Sequence, residues 1–102
     1  MAGYIKVAES NQVKDRFAIS VIIRDKKIAI FRYNGNLYAL RDSCPHQAAP
    51  ISDGYVDDGY AVCPNHGWRF RLEDGSYTLN GLMKIPTYEV TERNGNIFIR
   101  FD

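Results

Sequence analysis

Asn-Gly-Asn occurs twice in this chain, at Asn34-Gly35-Asn36 and at Asn94-Gly95-Asn96, each time between runs of β-branched and aromatic residues. A two-residue type I′ turn needs positive φ at both central positions, which Asn and Gly adopt at the least cost. Each site therefore predicts a tight antiparallel hairpin. The first joins Ile28-Ala29-Ile30-Phe31-Arg32-Tyr33 to Leu37-Tyr38-Ala39-Leu40-Arg41, and the second joins Thr87 to Glu92 with Ile97-Ile99-Phe101 and their neighbours. Phe17 to Ile23 predicts a further strand, ended by Asp25-Lys26-Lys27 as a polar turn. No segment carries a helical apolar stripe over a dozen residues, and Asn11 to Asp15 offers one turn at most. The expected fold class is all-β.

The middle of the chain has another character. Glycine and proline cluster from Pro45 to Gly81, and the strands predicted there are short: Tyr55-Val56, Tyr60-Ala61-Val62 and Trp68-Arg69-Phe70-Arg71. Asp57-Asp58-Gly59 and Glu73-Asp74-Gly75 read as tight turns between them. With 102 residues there is room for a single domain, and 45% hydrophobic residues suffice for a core. Thirteen basic against twelve acidic residues leave a charge of +1, which argues against a nucleic-acid grip, since that needs surplus cations. No apolar run approaches the roughly 20 residues that cross a bilayer. Met1 to Ser10 lacks the basic-then-apolar pattern of a secretion signal, so the expectation is a soluble, cytoplasmic protein without membrane contact.

Both Cys and both His fall between positions 44 and 66, written Cys44-x-His46, sixteen intervening residues, Cys63-x-x-His66. A two-residue step cannot put Cys and His on one helical face, and Pro45 and Pro64 oppose helix, so each pair is expected on a loop tip. The short hairpin between them brings the tips together, each with one thiolate and one imidazole. Zinc also takes Cys and His, but zinc fingers run Cys, Cys, His, His, with the His pair on a helix. A Cys44–Cys63 disulfide is disfavoured by a reducing compartment.

Cys44-Pro45-His46-Gln47-Ala48-Ala49-Pro50-Ile51-Ser52-Asp53-Gly54 and Cys63-Pro64-Asn65-His66-Gly67-Trp68-Arg69-Phe70 resemble the Rieske [2Fe-2S] family, whose signature is C-x-H followed by C-x-x-H. The resemblance implies an antiparallel β-sandwich base, about 1–42 and 71–102, with a smaller inserted cluster-binding subdomain at about 43–70. It implies that Cys44 and Cys63 bind one iron and His46 and His66 the other. Gln47, Ala48, Ala49, Asn65, Gly67 and Trp68 would then surround the cluster on its two loops. The family's third, shielding loop has its nearest counterpart at Leu79 to Met83, which lacks the usual prolines.

Neutral imidazoles in place of two thiolates make such a cluster less negative. Rieske centres lie at about −150 to +300 mV, against about −400 mV for all-Cys plant-type clusters. Saturated iron leaves no open position for substrate, so the implied role is one-electron transfer. High-potential relatives carry a disulfide between the loops and hydroxyls near the sulfurs. The matching positions here are Ala49 and Asn65, then Trp68 and Phe70, which predicts the low end of the range. Two systems fit: a ferredoxin between an NAD(P)H-dependent flavin reductase and a terminal, ring-hydroxylating-type oxygenase, or the small subunit of an assimilatory NAD(P)H nitrite reductase beside its large subunit. The chain has no His to spare for a mononuclear iron site, so catalysis is not its own. Trp68 reads as packing rather than as an electron conduit. Asp53, Asp57 and Asp58 read as turn residues, and Arg69 and Arg71 as a solvated strand face.

Overall fold

The computed structural model describes residues 3–44, 49–64 and 67–100, except for the side chains of 80–82. Among the described residues the regular structure is strand, with two short 3-10 turns and no α-helix. The strands are β1 (Tyr4–Glu9), β2 (Ala18–Ile23), β3 (Lys26–Tyr33), β4 (Asn36–Arg41), β5 (Tyr55–Asp57), β6 (Tyr60–Val62), β7 (Arg69–Arg71), β8 (Ser76–Tyr77), β9 (Asn80–Lys84), β10 (Thr87–Tyr88), β11 (Val90–Arg93) and β12 (Asn96–Arg100). They pair antiparallel into three sheets, ordered β1-β12-β11, β10-β4-β3-β2 and β5-β6-β7-β8-β9.

The run Ile28-Ala29-Ile30-Phe31 explains how the sheets stack. All four residues are 0% exposed, so β3 is buried on both faces. Strand side chains alternate in direction, and the four divide accordingly. Ile28 and Ile30 share a core with Ala39, Ile97 and Ile99, between the β3 sheet and the β1-β12-β11 sheet. Ala29 and Phe31 share a second core with Leu40, Val56, Ala61 and Phe70, toward the five-stranded sheet. Burying one such Ile or Phe side chain contributes about 1.5–3 kcal/mol. A continuous apolar run is what a strand between two cores requires.

Both Asn-Gly hairpins form as expected, with φ of 51° and 80° at Asn34 and Gly35, and 50° and 80° at Asn94 and Gly95. The turn expected at Asp25-Lys26-Lys27 lies earlier. Arg24 and Asp25 take φ of 49° and 67°, and Lys26 and Lys27 already pair with Ile23 and Ile22. Thr87 to Glu92 is not one strand: Thr87 and Tyr88 pair with β4, whereas Val90 onward pairs with β12. The chain changes sheets at Glu89, whose carboxylate accepts from the Tyr4 hydroxyl at 2.7 Å and from Arg100 at 3.2 Å. By strand pairing, residues 71–84 go with the five-stranded sheet, where the sequence expectation gives them to the base.

Candidate metal centre

Cys44 lies two residues past Asp42 at the end of β4, and Cys63 directly follows β6. Both are 0% exposed, and both belong to the core that contains Phe31, Ile51 and Phe70. No disulfide joins them. The two loops are closed in the same way. The Cys44 amide donates to the Ala49 carbonyl at 2.8 Å, and the Cys63 amide donates to the Trp68 carbonyl at 2.7 Å. In each case a cysteine opens a loop whose fifth following residue returns to its backbone. Both cysteines are followed by proline, Pro45 and Pro64, and the two loops they open share one plan of closure.

One short turn ties the two stems together. Ile51–Asp53 forms a 3-10 turn with Ile51 fully buried. Ser52 donates to the Asp42 carboxylate twice, from its amide at 2.8 Å and from its hydroxyl at 2.6 Å. Asp42 is 3% exposed, and buried carboxylates need such partners. The turn ends at Gly54, where a Cβ would lie 1.8 Å from the Val62 carbonyl oxygen. Only glycine allows that approach, and Val62 immediately precedes Cys63. Residues 52–54 thus hold the stem of Cys44 on one side and that of Cys63 on the other. Ser52 and Gly54 fall within the family-like stretch that starts at Cys44, whereas Asp42 lies outside it. A lone Asp after a strand has no signal until its partner ten residues away is known.

The remaining expected site residues divide by depth. Ala49 is half-buried and packs against the cysteine-containing core, as does Trp68. Pro64 and Gly67 are exposed, and Gly67 has φ of 68°. Trp68 stacks on Tyr77, centroids 4.5 Å apart at 15°, and Tyr77 lies 5.4 Å from Phe70. Its side chain is therefore a packing element. His46, His66, Gln47, Ala48 and Asn65 lie outside the described residues. The stretch from Leu79 to Met83 forms the end of the β8–β9 hairpin, with Leu79 83% exposed. Arg69 does more than solvate a strand: it donates to Asp57 at 2.7 Å across β6, and that hydrogen bond is the main cause raising its pKa.

Two buried thiols in one core, beneath loops whose exposed parts include Pro64 and Gly67, fit a metal group with a sulfur-bound inner side. Buried thiolates without a cation would be costly, and metal binding supplies the compensating charge. Residues 3–89 match the sequence profile of the Rieske [2Fe-2S] domain, and the chain belongs to that family. Its cofactor is a Rieske-type [2Fe-2S] cluster.

Among its relatives, the 3-phenylpropionate/cinnamic acid dioxygenase ferredoxin subunit of Photorhabdus laumondii is 40% identical over 74 residues, 71% of this chain and 70% of the relative. The ferredoxin component of the naphthalene 1,2-dioxygenase/salicylate 5-hydroxylase systems of a Ralstonia species is 29% identical over 101 residues, 98% and 97% of the two chains. A chain in the reduced complex between oxygenase and ferredoxin of carbazole 1,9a-dioxygenase superposes with a TM-score of 0.82 at 26% identity. It covers 96% of this chain, which spans 28% of that longer one. A likeness of fold alone extends to a putative NADPH nitrite reductase small subunit, TM-score 0.87 at 20% identity, covering 94% and 96%.

Proposed function

We propose that this chain is the ferredoxin of a ring-hydroxylating-type oxygenase system, taking single electrons from an NAD(P)H-dependent flavin reductase and delivering them to a terminal oxygenase in the cytoplasm. The observation that carries this reading is the pair of buried cysteines opening two identically closed loops, in a chain that matches the Rieske domain over residues 3–89. The relatives' names support the oxygenase setting, since two are ferredoxin components of dioxygenase systems. The nitrite reductase alternative has only a likeness of fold behind it.

In this reading Cys44 and Cys63 hold the inner iron, and His46 and His66 the outer one. When bound, the cluster supplies one reversible electron and no open coordination position. The chain's own residues do the rest. Asp42, Ser52 and Gly54 fix the spacing of the cysteine stems, and the Ala49 and Trp68 carbonyls hold the cysteine amides. Ala49, Gln47, Ala48, Asn65, Gly67 and Trp68 border the cluster loops, and none offers sulfur a hydroxyl. The potential expected is accordingly at the low end of the Rieske range.

Anaerobically purified protein should contain equimolar iron and acid-labile sulfide and show a paramagnetic signal after dithionite. Colourless protein without that signal refutes the assignment. His66→Cys should keep a cluster and lower its potential, because a neutral ligand becomes an anionic one. An unchanged potential refutes histidine ligation.

A further inference from the structure

A groove of about 520 Å³ opens where the ends of β3, β4 and β9 meet, and its walls carry Lys27, Arg41 and Lys84. Backbone pairing assembles these cations from three distant parts of the chain. The Asp42 amide donates to the Lys27 carbonyl at 2.8 Å, and the Arg41 amide donates to the Pro86 carbonyl at 2.9 Å, just past Lys84. Among the described residues, none of the three side chains makes an ion pair, whereas Arg16, Arg32, Arg69 and Arg100 all do. Two carboxylates also line the groove. Asp42 keeps its charge although both oxygens accept from Ser52, so the lining sets three cations against Asp25 and Asp42, with Asp74 acting on Lys84 from outside the groove. The half-buried Ser43 on the same wall has a hydroxyl without a partner among the described residues. Like charges gathered around a concavity repel one another and raise the local positive potential, and an anion with several oxygen acceptors relieves both.

We propose that this groove is a binding site for a small oxyanion, a phosphate or carboxylate group, held by Lys27, Arg41 and Lys84 with Ser43 as a hydroxyl donor. The volume is that of a small-molecule site rather than of a single water. Its position also gives it a redox consequence, which rests on the function proposed above. Ser43 and Pro50, both on the groove wall, flank the loop from Cys44 to Ala49. An anion there adds negative charge beside the stem of a cluster ligand, so it opposes reduction of the protein. By linkage, reduced protein binds the anion more weakly, by the same factor that anion binding disfavours reduction.

The test titrates inorganic phosphate and benzoate, in separate arms at constant ionic strength, into oxidised holoprotein while following the amide resonances of Lys27, Arg41 and Lys84. Saturable shifts are expected in at least one arm, and the arm that saturates identifies the source as phosphate or carboxylate. Arg41→Gln combined with Lys84→Gln should weaken binding by on the order of tenfold or more. Lys14→Gln, an exposed charge outside the groove, should leave it unchanged. Shifts that grow linearly in both arms, or an equal loss with Lys14→Gln, overturn the site. The midpoint potential should fall at saturating anion and stay fixed in the double variant. Binding with an unmoved midpoint overturns the linkage. Failure of the cluster assignment would appear separately, as protein lacking the iron–sulfur spectrum before any anion is added.

Discussion

Removing the Asp42 carboxylate tests whether the turn at residues 51–54 governs the site. In Asp42→Ala the Ser52 amide and hydroxyl lose acceptors that now stand at 2.8 and 2.6 Å. A hydrogen bond to a charged group contributes about 1.5–3 kcal/mol, and a buried donor left unsatisfied keeps its desolvation penalty. Because both bonds end on one carboxylate, their losses do not simply add, and about 3 kcal/mol is expected. For a domain of this size that corresponds to a fall of about 12–24 °C in Tm. Ser52→Ala removes only the hydroxyl bond and should cost about half as much. Asp42→Asn keeps one acceptor for the amide and gains an NH2 that can donate to the hydroxyl, so about 1 kcal/mol is expected.

Urea unfolding of the holoprotein followed by far-ultraviolet circular dichroism gives the order Asp42→Ala, Ser52→Ala, Asp42→Asn. Loss of the visible bands, recorded on the same samples, reports the cysteine loops separately, since a metal-bearing protein need not unfold in two states. Asp42→Ala should lose those bands at lower urea than wild type. If Asp42→Ala stays within about 0.5 kcal/mol of wild type, the carboxylate is an ordinary surface-like substitution and the clamp is refuted.

Gly54→Ala places a methyl 1.8 Å from the Val62 carbonyl oxygen, a backbone atom that can yield only by moving β6. A loss of at least about 3 kcal/mol and poor cluster retention are expected, and near-wild-type Tm and iron content would contradict this. Glu92 is held below the usual carboxylate range chiefly by its hydrogen bonds to Arg32, at 2.9 and 3.4 Å. Its contribution is complete above the unfolded-state pKa and is lost as pH falls through the lower folded value. Glu92→Gln should therefore flatten the stability-versus-pH curve below about pH 4.5, and an unchanged acid limb would refute it. Trp68→Leu removes the stack on Tyr77 and should cost about 1–2 kcal/mol while electron transfer to an oxidant such as cytochrome c keeps its rate. A large fall in that rate at unchanged potential would instead make Trp68 a conduit.

What the sequence makes legible depends on whether the cause is local. Asn34-Gly35 and Asn94-Gly95 fix their turns because the required φ is a property of those two residues alone. The turn at Arg24-Asp25 adopts the same positive φ without either favoured residue, since the pairing of Ile23 with Lys26 and Ile22 with Lys27 imposes it. Strand β1 escapes notice because a bulge between Lys6 and Ala8 breaks the period-two pattern, and because its partner, β12, lies at the other end of the chain. The sheet change at Glu89 is equally invisible, since the residues its carboxylate meets, Tyr4 and Arg100, lie 85 and 11 positions away in the sequence. At the site, Cys44 and Cys63 announce themselves by rarity and spacing. The residues that place them do not, because Asp42 and Gly54 act through partners that only the fold brings near.

The two cysteines arrive from different sheets, Cys44 from the end of β4 and Cys63 from the end of β6. Sheets packed face to face through side chains can slide by fractions of an ångström at little cost, whereas on the ligation proposed above two sulfurs sharing one iron would tolerate almost no such slippage. Some element must therefore lock one sheet to the other close to the metal, through directional or repulsive contacts rather than through apolar packing alone. The 51–54 turn supplies both kinds, hydrogen bonds to Asp42 on one side and the steric stop of Gly54 against Val62 on the other. A carrier that cycles between charge states gains from this arrangement, since a frame fixed by protein contacts has less to rearrange when an electron arrives or leaves. The same logic explains why both cysteine amides are spent on carbonyls within their own loops: the backbone of each loop is closed by the protein's own hydrogen bonds.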